Sequence, residues 1–232
     1  MGTVRARGVD VAYQRVGDGP PLVLVHGGMD DHRAWQPQLH GLADVFTVVA
    51  WDEPGAGRSS DVAPGFGLPD YADCLAAVID AVGLGPALVA GVSWGGTVVL
   101  ELYRRHPGTV AALVLADTYA GWRGSLPEHE VRRRVQEARS ASVPDVRASS
   151  LHAALSAMAE ADLRDVLPTI AVPTLLVWGD RDERSPLAVA HAFEAAIPAV
   201  ELVVLPGAGH LSNLEAPAAF NDAVRRFAGT RL

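Results

Sequence analysis

The sequence contains no lysine and only one cysteine, Cys74. All 19 basic residues are therefore arginines, against 27 acidic residues, and the net charge is −8 at neutral pH. Because nucleic-acid-binding proteins carry a dense basic patch or stripe, we expect no nucleic acid partner for this acidic chain. The one basic cluster, Arg132, Arg133 and Arg134, is interpreted as the solvated face of a helix.

A single cysteine excludes a disulfide within the chain. Cys74 falls on a helical apolar stripe with Tyr71, Leu75 and Val78, so we expect a buried thiol rather than a reactive one. No apolar run approaches the ~18 residues that a membrane-spanning helix needs. The first residues also lack the pattern of a secretory signal. We therefore expect a soluble, cytoplasmic protein with no membrane association.

Apolar residues are abundant, at 49% of 232 residues, which is enough for one large core. Alternation at 3–6 and 9–16 predicts an antiparallel hairpin. Continuous apolar runs, typical of strands that are covered on both faces, lie at 22–25, 46–50, 87–90, 110–115, 174–177 and 201–205. Helical patterns separate most of these runs, at 71–82, 94–105, 187–197 and 217–227. This alternation predicts an α/β fold with a mostly parallel sheet of about eight strands and helices on both faces.

Residues 119–168 interrupt the alternation, since they contain helical patterns at 128–138 and 149–163 but no convincing strand. About fifty residues without a strand are too many for an ordinary connection. We therefore predict a small helical cap inserted after the sixth strand. The core would then comprise residues 1–118 and 169–232.

The strongest chemical signal is Gly91-Val92-Ser93-Trp94-Gly95, which follows one predicted strand and precedes a predicted helix. Gly-x-Ser-x-Gly in that setting is typical of a nucleophile elbow. Side chains at 91 and 95 would collide with neighbouring backbone in so tight a turn. A glycine-rich turn with a serine by chance is the alternative, and the flanking strand and helix favour the functional interpretation.

A serine hydroxyl needs a base to remove its proton. His210 is the candidate, because its glycine-rich loop follows the strand at 201–205 and can reach the carboxyl edge of the sheet. The other histidines fit less well; His32, for example, has no obvious acid partner. The base in turn needs a carboxylate to orient it. The loop after the strand at 174–177 offers Asp180 and Asp182, and the residues alone do not decide between them.

The negative oxygen that forms on a substrate carbonyl must also be stabilised. Trp94 follows the nucleophile and offers one backbone N–H, and we expect a second from Gly28 in the loop after an early strand. Glycine at 27 and 28 allows close approach of the backbone to a substrate. A simple turn is the alternative interpretation of these two glycines.

With these features in place, the chain resembles the cap-bearing α/β-hydrolase superfamily over nearly its whole length. The oxyanion loop, structural loop, acid loop and histidine loop of that family have counterparts here at 26–28, 52–59, 179–186 and 209–217. The order serine, acid, histidine also agrees with the family. The alignment of the acid loop favours Asp182 over Asp180.

The resemblance implies a hydrolase-like site but leaves the substrate open, because members include esterases, lactonases, carbon–carbon hydrolases, perhydrolases and lyases. Serine at 93 sets aside epoxide hydrolases and haloalkane dehalogenases, which use an aspartate there. The insertion looks shorter than the usual cap, which implies an open site for small or flat substrates. Candidates for the pocket wall, each of which could instead serve packing, are Met29, Tyr119, Trp122, Met158 and Leu211.

The sequence thus predicts a serine hydrolase that cleaves a small carboxylic ester or lactone through a covalent acyl-enzyme. The catalytic residues would be Ser93, His210 and Asp182. No metal-ligand spacing is found, and we expect neither a metal nor a cofactor, with a small molecule as the substrate. A carbon–carbon hydrolase or lyase, and a ligand-binding receptor that retains the triad, remain alternatives. The sequence leaves the oligomeric state open.

Overall fold

The computed structural model describes residues 1–83, 85–140 and 148–231. The strands are β1 (Gly2–Ala6), β2 (Val9–Val16), β3 (Pro21–Val25), β4 (Thr47–Trp51), β5 (Ala87–Val92), β6 (Val110–Ala116), β7 (Thr174–Gly179) and β8 (Val200–Leu205). The helices are α1 (Gln36–Gly41), α2 (Leu68–Val82), α3 (Trp94–Arg105), α4 (Trp122–Ser125), α5 (Glu128–Ser140), α6 (Ala148–Glu160), α7 (Leu187–Ala196), α8 (Ser212–Glu215) and α9 (Pro217–Arg231). Short 3₁₀ turns lie at His32–Trp35, Pro107–Thr109 and Leu167–Thr169.

The eight strands form one sheet in the order β1-β2-β4-β3-β5-β6-β7-β8. β1 pairs antiparallel with β2, and β2 with β4, whereas all the other pairs are parallel. The predicted hairpin and the mostly parallel sheet are confirmed. The chain runs from β3 outward to β4 and then returns past β3 to β5. The loops after β3 and β5 therefore leave the sheet at a switch of strand order, where ligands bind in such folds.

The central strands β3, β5 and β6 are apolar at every position, so both faces of the sheet must be covered to keep these side chains from water. Side chains of alternate parity face opposite sides, so Val23 and Val25 join one core cluster while Leu22 and Leu24 join the other. Cys74 is fully buried in the first cluster, and burial raises the pKa of its thiol to about 12. The expectation of a buried cysteine is thus confirmed.

Helices α4, α5 and α6 lie between β6 and β7, so the helical insertion after the sixth strand is confirmed. α6 is attached to the loop after β4 through Ser150, whose hydroxyl accepts the backbone N–H of Val62 at 3.2 Å. The division into a core and a cap with limits at 119 and 168 stays a prediction. Among the described residues, no helix combines the length and the apolar character needed to cross a membrane.

Candidate active site

Ser93 lies in the turn between β5 and α3 with φ +53° and ψ −121°. A non-glycine residue seldom adopts a positive φ, and such strained positions concentrate at functional sites. A Cβ at Gly95 would lie 2.2 Å from the carbonyl oxygen of Val25, and one at Gly91 would lie 2.6 Å from that of Gly95. Both glycines are therefore needed for the turn that presents Ser93 at the start of α3.

His210 lies between Ser93 and Asp182. Its Nε2 is 2.9 Å from the hydroxyl oxygen of Ser93, and its Nδ1 is 2.9 and 3.0 Å from the two carboxylate oxygens of Asp182. With the proton on Nδ1, the ring donates to the carboxylate, and Nε2 is free to accept the serine proton. The three residues come from loops after β5, β7 and β8, which meet at the carboxyl edge of the sheet.

The two aspartates of the acid loop have different surroundings. The side chain of Asp182 is fully buried, and its Oδ1 also accepts the backbone N–H groups of Arg184 and Ser185, both at 2.8 Å. Asp180 is exposed and accepts the backbone N–H of Gly207 at 2.7 Å. The structure therefore places Asp182 against His210, whereas Asp180 braces the loop that carries the histidine.

The two predicted oxyanion donors lie close together. A Cβ at Gly28 would be 3.8 Å from the Cβ of Trp94, and Gly28 is exposed toward solvent. A Cβ at the neighbouring Gly27 would be 3.5 Å from the Cβ of Ser93. Two backbone N–H groups beside a nucleophile suit the stabilisation of a negative oxygen on an acyl carbon.

Some of the predicted wall residues lie beside the candidate catalytic groups, whereas the others pack in the interior. The Cε atom of Met158 lies 3.9 Å from a Cβ built at Gly28, and the ring of Tyr119 is 6.1 Å from that of His210. Met29, which directly follows the oxyanion loop, is 74% exposed. Trp122 is instead buried beneath the guanidinium of Arg134, and half-buried Leu211 packs against the core.

The interpretation of Arg132 to Arg134 as a solvated face is wrong for Arg134. Its side chain is 8% exposed and donates to the hydroxyl of Tyr119 at 3.0 Å and to the carbonyl of Arg184 at 2.7 Å. Its guanidinium also lies 5.6 Å from the centres of the Tyr119 and Trp122 rings. Arg134 therefore joins α5 both to Tyr119, which follows β6, and to Arg184 of the acid loop.

Sequence reasoning missed a buried pair, Asp117 and Thr118, that follows β6. Asp117 accepts the backbone N–H of Gly179 at 2.9 Å and that of Ser212 at 3.0 Å. The hydroxyl of Thr118 donates to the carbonyl of Ser93 at 2.5 Å. These two residues thus contact all three loops that carry the candidate catalytic groups. Burial raises the pKa of Asp117 to about 7, although the hydrogen bonds from Ser212 and Gly179 oppose the shift.

Two further carboxyl groups near the oxyanion loop were also missed. Glu53 is 4% exposed, and one of its oxygens accepts the indole N–H of Trp94 at 2.6 Å. Burial raises the pKa of Glu53 to about 8, and burial also raises the pKa of the half-buried Asp30. Both residues line a cavity of about 230 Å³, bounded also by Met29 and by Ala154 of α6.

His32 has an acid partner, contrary to expectation, since its Nδ1 lies 2.7 Å from Oδ1 of Asp52. Ligand atoms of Asp31, His32 and Asp52 lie within 4.8 Å of one another, a spacing that a metal ion could use. The hydrogen bonds of these residues already explain why they lie close together. Asp52 also accepts the backbone N–H of Arg58 at 2.9 Å, and Asp31 is paired with Arg33. We infer that these residues hold the loop after β3 and the loop after β4 together.

Comparison with known proteins shows the family to which the chain is related. The family described as alpha/beta hydrolase fold matches residues 20–147 and 129–217. The chain is 28% identical to a pimeloyl-[acyl-carrier protein] methyl ester esterase of Vibrio vulnificus, over 95% of this chain and 98% of the relative.

Solved structures are similar as well. A thermophilic esterase of Thermogutta terrifontis superposes with a TM-score of 0.84 at 27% identity, covering 98% of this chain and 96% of the esterase. The enol-lactonase of Burkholderia xenovorans LB400 superposes with a TM-score of 0.82 over 98% and 100% of the two chains. At 23% identity, that second likeness supports the fold alone. By the family match over most of its length, the chain belongs to the α/β-hydrolase fold family.

Proposed function

We propose that the protein is a serine esterase that cleaves a small carboxylic ester through an acyl-enzyme on Ser93. The observation that carries the proposal is the unbroken hydrogen-bonded series from the Ser93 hydroxyl through His210 to the buried carboxylate of Asp182. Such a series activates a hydroxyl that is otherwise a weak nucleophile. Kinship with a methyl ester esterase and with a thermophilic esterase supports an ester as the substrate.

In the first half-reaction, the Ser93 oxygen attacks the ester carbonyl while its proton moves to Nε2 of His210. The negative charge on the carbonyl oxygen is stabilised by the backbone N–H groups of Gly28 and Trp94. As the carbon–oxygen bond of the ester breaks, His210 returns the proton to the departing alcohol. The carboxylate of Asp182 stabilises the imidazolium that forms.

In the second half-reaction, water takes the place of the alcohol. His210 removes a proton from the water as it attacks the acyl carbon, and then returns that proton to the Ser93 oxygen. The acid product leaves and the free serine is restored. Met158 and Met29, which flank Gly28, would limit the size of the group held there. A small lactone meets the same groups, with its alcohol remaining attached to the acyl chain.

Two measurements test the proposal. A fluorophosphonate probe should label the wild-type chain at Ser93, and a chromogenic short-chain ester should be turned over for many cycles. Ser93→Ala should lose both properties while remaining folded, and Ser156→Ala, a serine of α6, should keep them. A single burst without further turnover would instead favour the receptor alternative. Sustained turnover in Ser93→Ala would refute the proposal.

A further inference from the structure

Glu53 contacts both sides of the proposed oxyanion hole. Its backbone N–H donates to Nε2 of His26 at 3.1 Å, and Nδ1 of His26 donates to the carbonyl of Gly27 at 2.8 Å. Its side chain accepts the indole N–H of Trp94 at 2.6 Å. One residue thus supports the loop that carries Gly28 and also the residue that follows the nucleophile.

The Glu53 carboxyl has no positive partner in the described part of the chain. It is 4% exposed, its one side-chain hydrogen bond there comes from Trp94, and its charged neighbour is another acid, Asp30. An ionised carboxylate in such surroundings is strongly disfavoured unless it is paired. Accordingly, burial raises the pKa of Glu53 to about 8.

Several other titratable groups lie around Glu53 in the described part of the chain. In the segment 26–31, burial lowers the pKa of His26, and the hydrogen bond from Arg33 holds the pKa of Asp31 at about 2. Burial raises the pKa of Tyr71 on α2, which keeps its phenol neutral. The other acids nearby are Asp30, which lines the same cavity, and Asp52, which directly precedes Glu53 in the chain. α6 contributes uncharged residues to this wall, namely Ser150, Leu151 and Ala154.

We propose that Glu53 is a positioning residue for the oxyanion hole and that it supports turnover only while its carboxyl is uncharged. The inference rests on the proposed function. The uncharged carboxyl holds the indole of Trp94 without adding negative charge beside the reacting carbonyl. After the loss of its proton, the buried charge opposes the negative oxygen of the transition state across a region of low dielectric constant.

Kinetics of an uncharged short-chain ester from pH 6 to 10 test this role. Wild-type kcat should fall as the pH rises through about 8, whereas Glu53→Gln should remain active to higher pH. We expect about a tenfold advantage for Glu53→Gln at pH 9.5, and near-equal kcat at pH 6.5, since an amide oxygen also accepts from Trp94. Glu53→Ala should lower kcat at every pH with little change in KM. Glu101→Gln, the change of another buried glutamate, should keep the wild-type profile.

A direct titration separates this inference from the proposed function. The indole N–H resonance of Trp94, one of five tryptophans, should shift in the wild type with a midpoint near pH 8 and should not shift in Glu53→Gln. An unmoved resonance, or an alkaline fall in kcat that persists in Glu53→Gln, would overturn the inference. Turnover that survives in Ser93→Ala would refute the proposed function instead, while the resonance would still report the charge of Glu53.

Discussion

Asp117 and Ser212 are joined by a buried hydrogen bond of 3.0 Å across 95 positions of sequence. The second oxygen of the same carboxyl accepts the backbone N–H of Gly179 at 2.9 Å. Ser212 lies two residues after His210, and Gly179 lies three residues before Asp182. One side chain at the end of β6 therefore fixes the distance between the loops that carry the proposed base and its acid partner.

Replacing Asp117 by alanine should reduce both stability and turnover. The change leaves two buried N–H groups without an acceptor, at a cost of roughly 1–3 kcal/mol each. We expect kcat to fall much more than KM rises, because His210 loses its fixed position. Asp117→Asn keeps one of the two acceptors and should lie between alanine and wild type. Urea denaturation and steady-state kinetics measure both effects.

Asp165→Ala, which removes a carboxyl that is 72% exposed, is the matched control and should behave like the wild type. If Asp117→Ala retained wild-type stability and kcat, the bridging role would be wrong.

Replacing one or the other aspartate of the acid loop by asparagine should have very different effects. Asp182→Asn should lower kcat by about 10⁴-fold, because an amide favours the wrong tautomer of the partner histidine. Asp180→Asn should cost only a few-fold, since its exposed side chain contacts the backbone N–H of Gly207 and not the ring of His210. The ratio of kcat/KM between the two variants is the measurement, and the opposite order would reassign the catalytic acid.

Alanine at one glycine of the site should impair folding, whereas alanine at another should impair only the access of substrate to Ser93. Gly95→Ala places a methyl group 2.2 Å from a backbone carbonyl oxygen of β3, so we expect a stability loss of about 1–3 kcal/mol or more. Gly27→Ala places its methyl group 3.5 Å from the Cβ of Ser93, an ordinary contact. That variant should fold normally and lose kcat/KM most for esters with bulky acyl groups. Thermal unfolding and an acyl-chain series check the contrast; equal stability of the two variants would contradict it.

The fold and the proposed triad were predictable because their signals are local. Apolar runs mark buried strands, and the glycines around Ser93 and His210 mark tight loops. Arg134 was misjudged because the burial of a helix face depends on what packs against it, here Tyr119 and the acid loop. Glu53 was not identified because only the fold brings its carboxyl to the indole of Trp94. An aspartate directly after a wholly apolar strand, as at 117, was a signal that could have been used.

The buried carboxyl of Glu53 should make stability depend on pH in a defined window. Its ordinary pKa of 4.5 is raised to about 8 in the folded chain. Between these values the unfolded chain has released the proton that the folded chain still holds, so stability is highest below the window and falls as the pH rises through it. The loss is at most about 1.4 kcal/mol per pH unit and ends above the folded pKa.

Glu53→Gln has no titratable group at this position. The difference between its free energy of unfolding and that of the wild type should therefore increase from pH 5 to pH 8. Comparing the two chains at each pH cancels the contribution of Asp117, which titrates in an overlapping range. Urea denaturation at four or five pH values gives the difference directly. A difference that stays constant across the window would show that Glu53 is ionised in the folded protein at neutral pH, since only a proton retained on folding makes the two chains diverge.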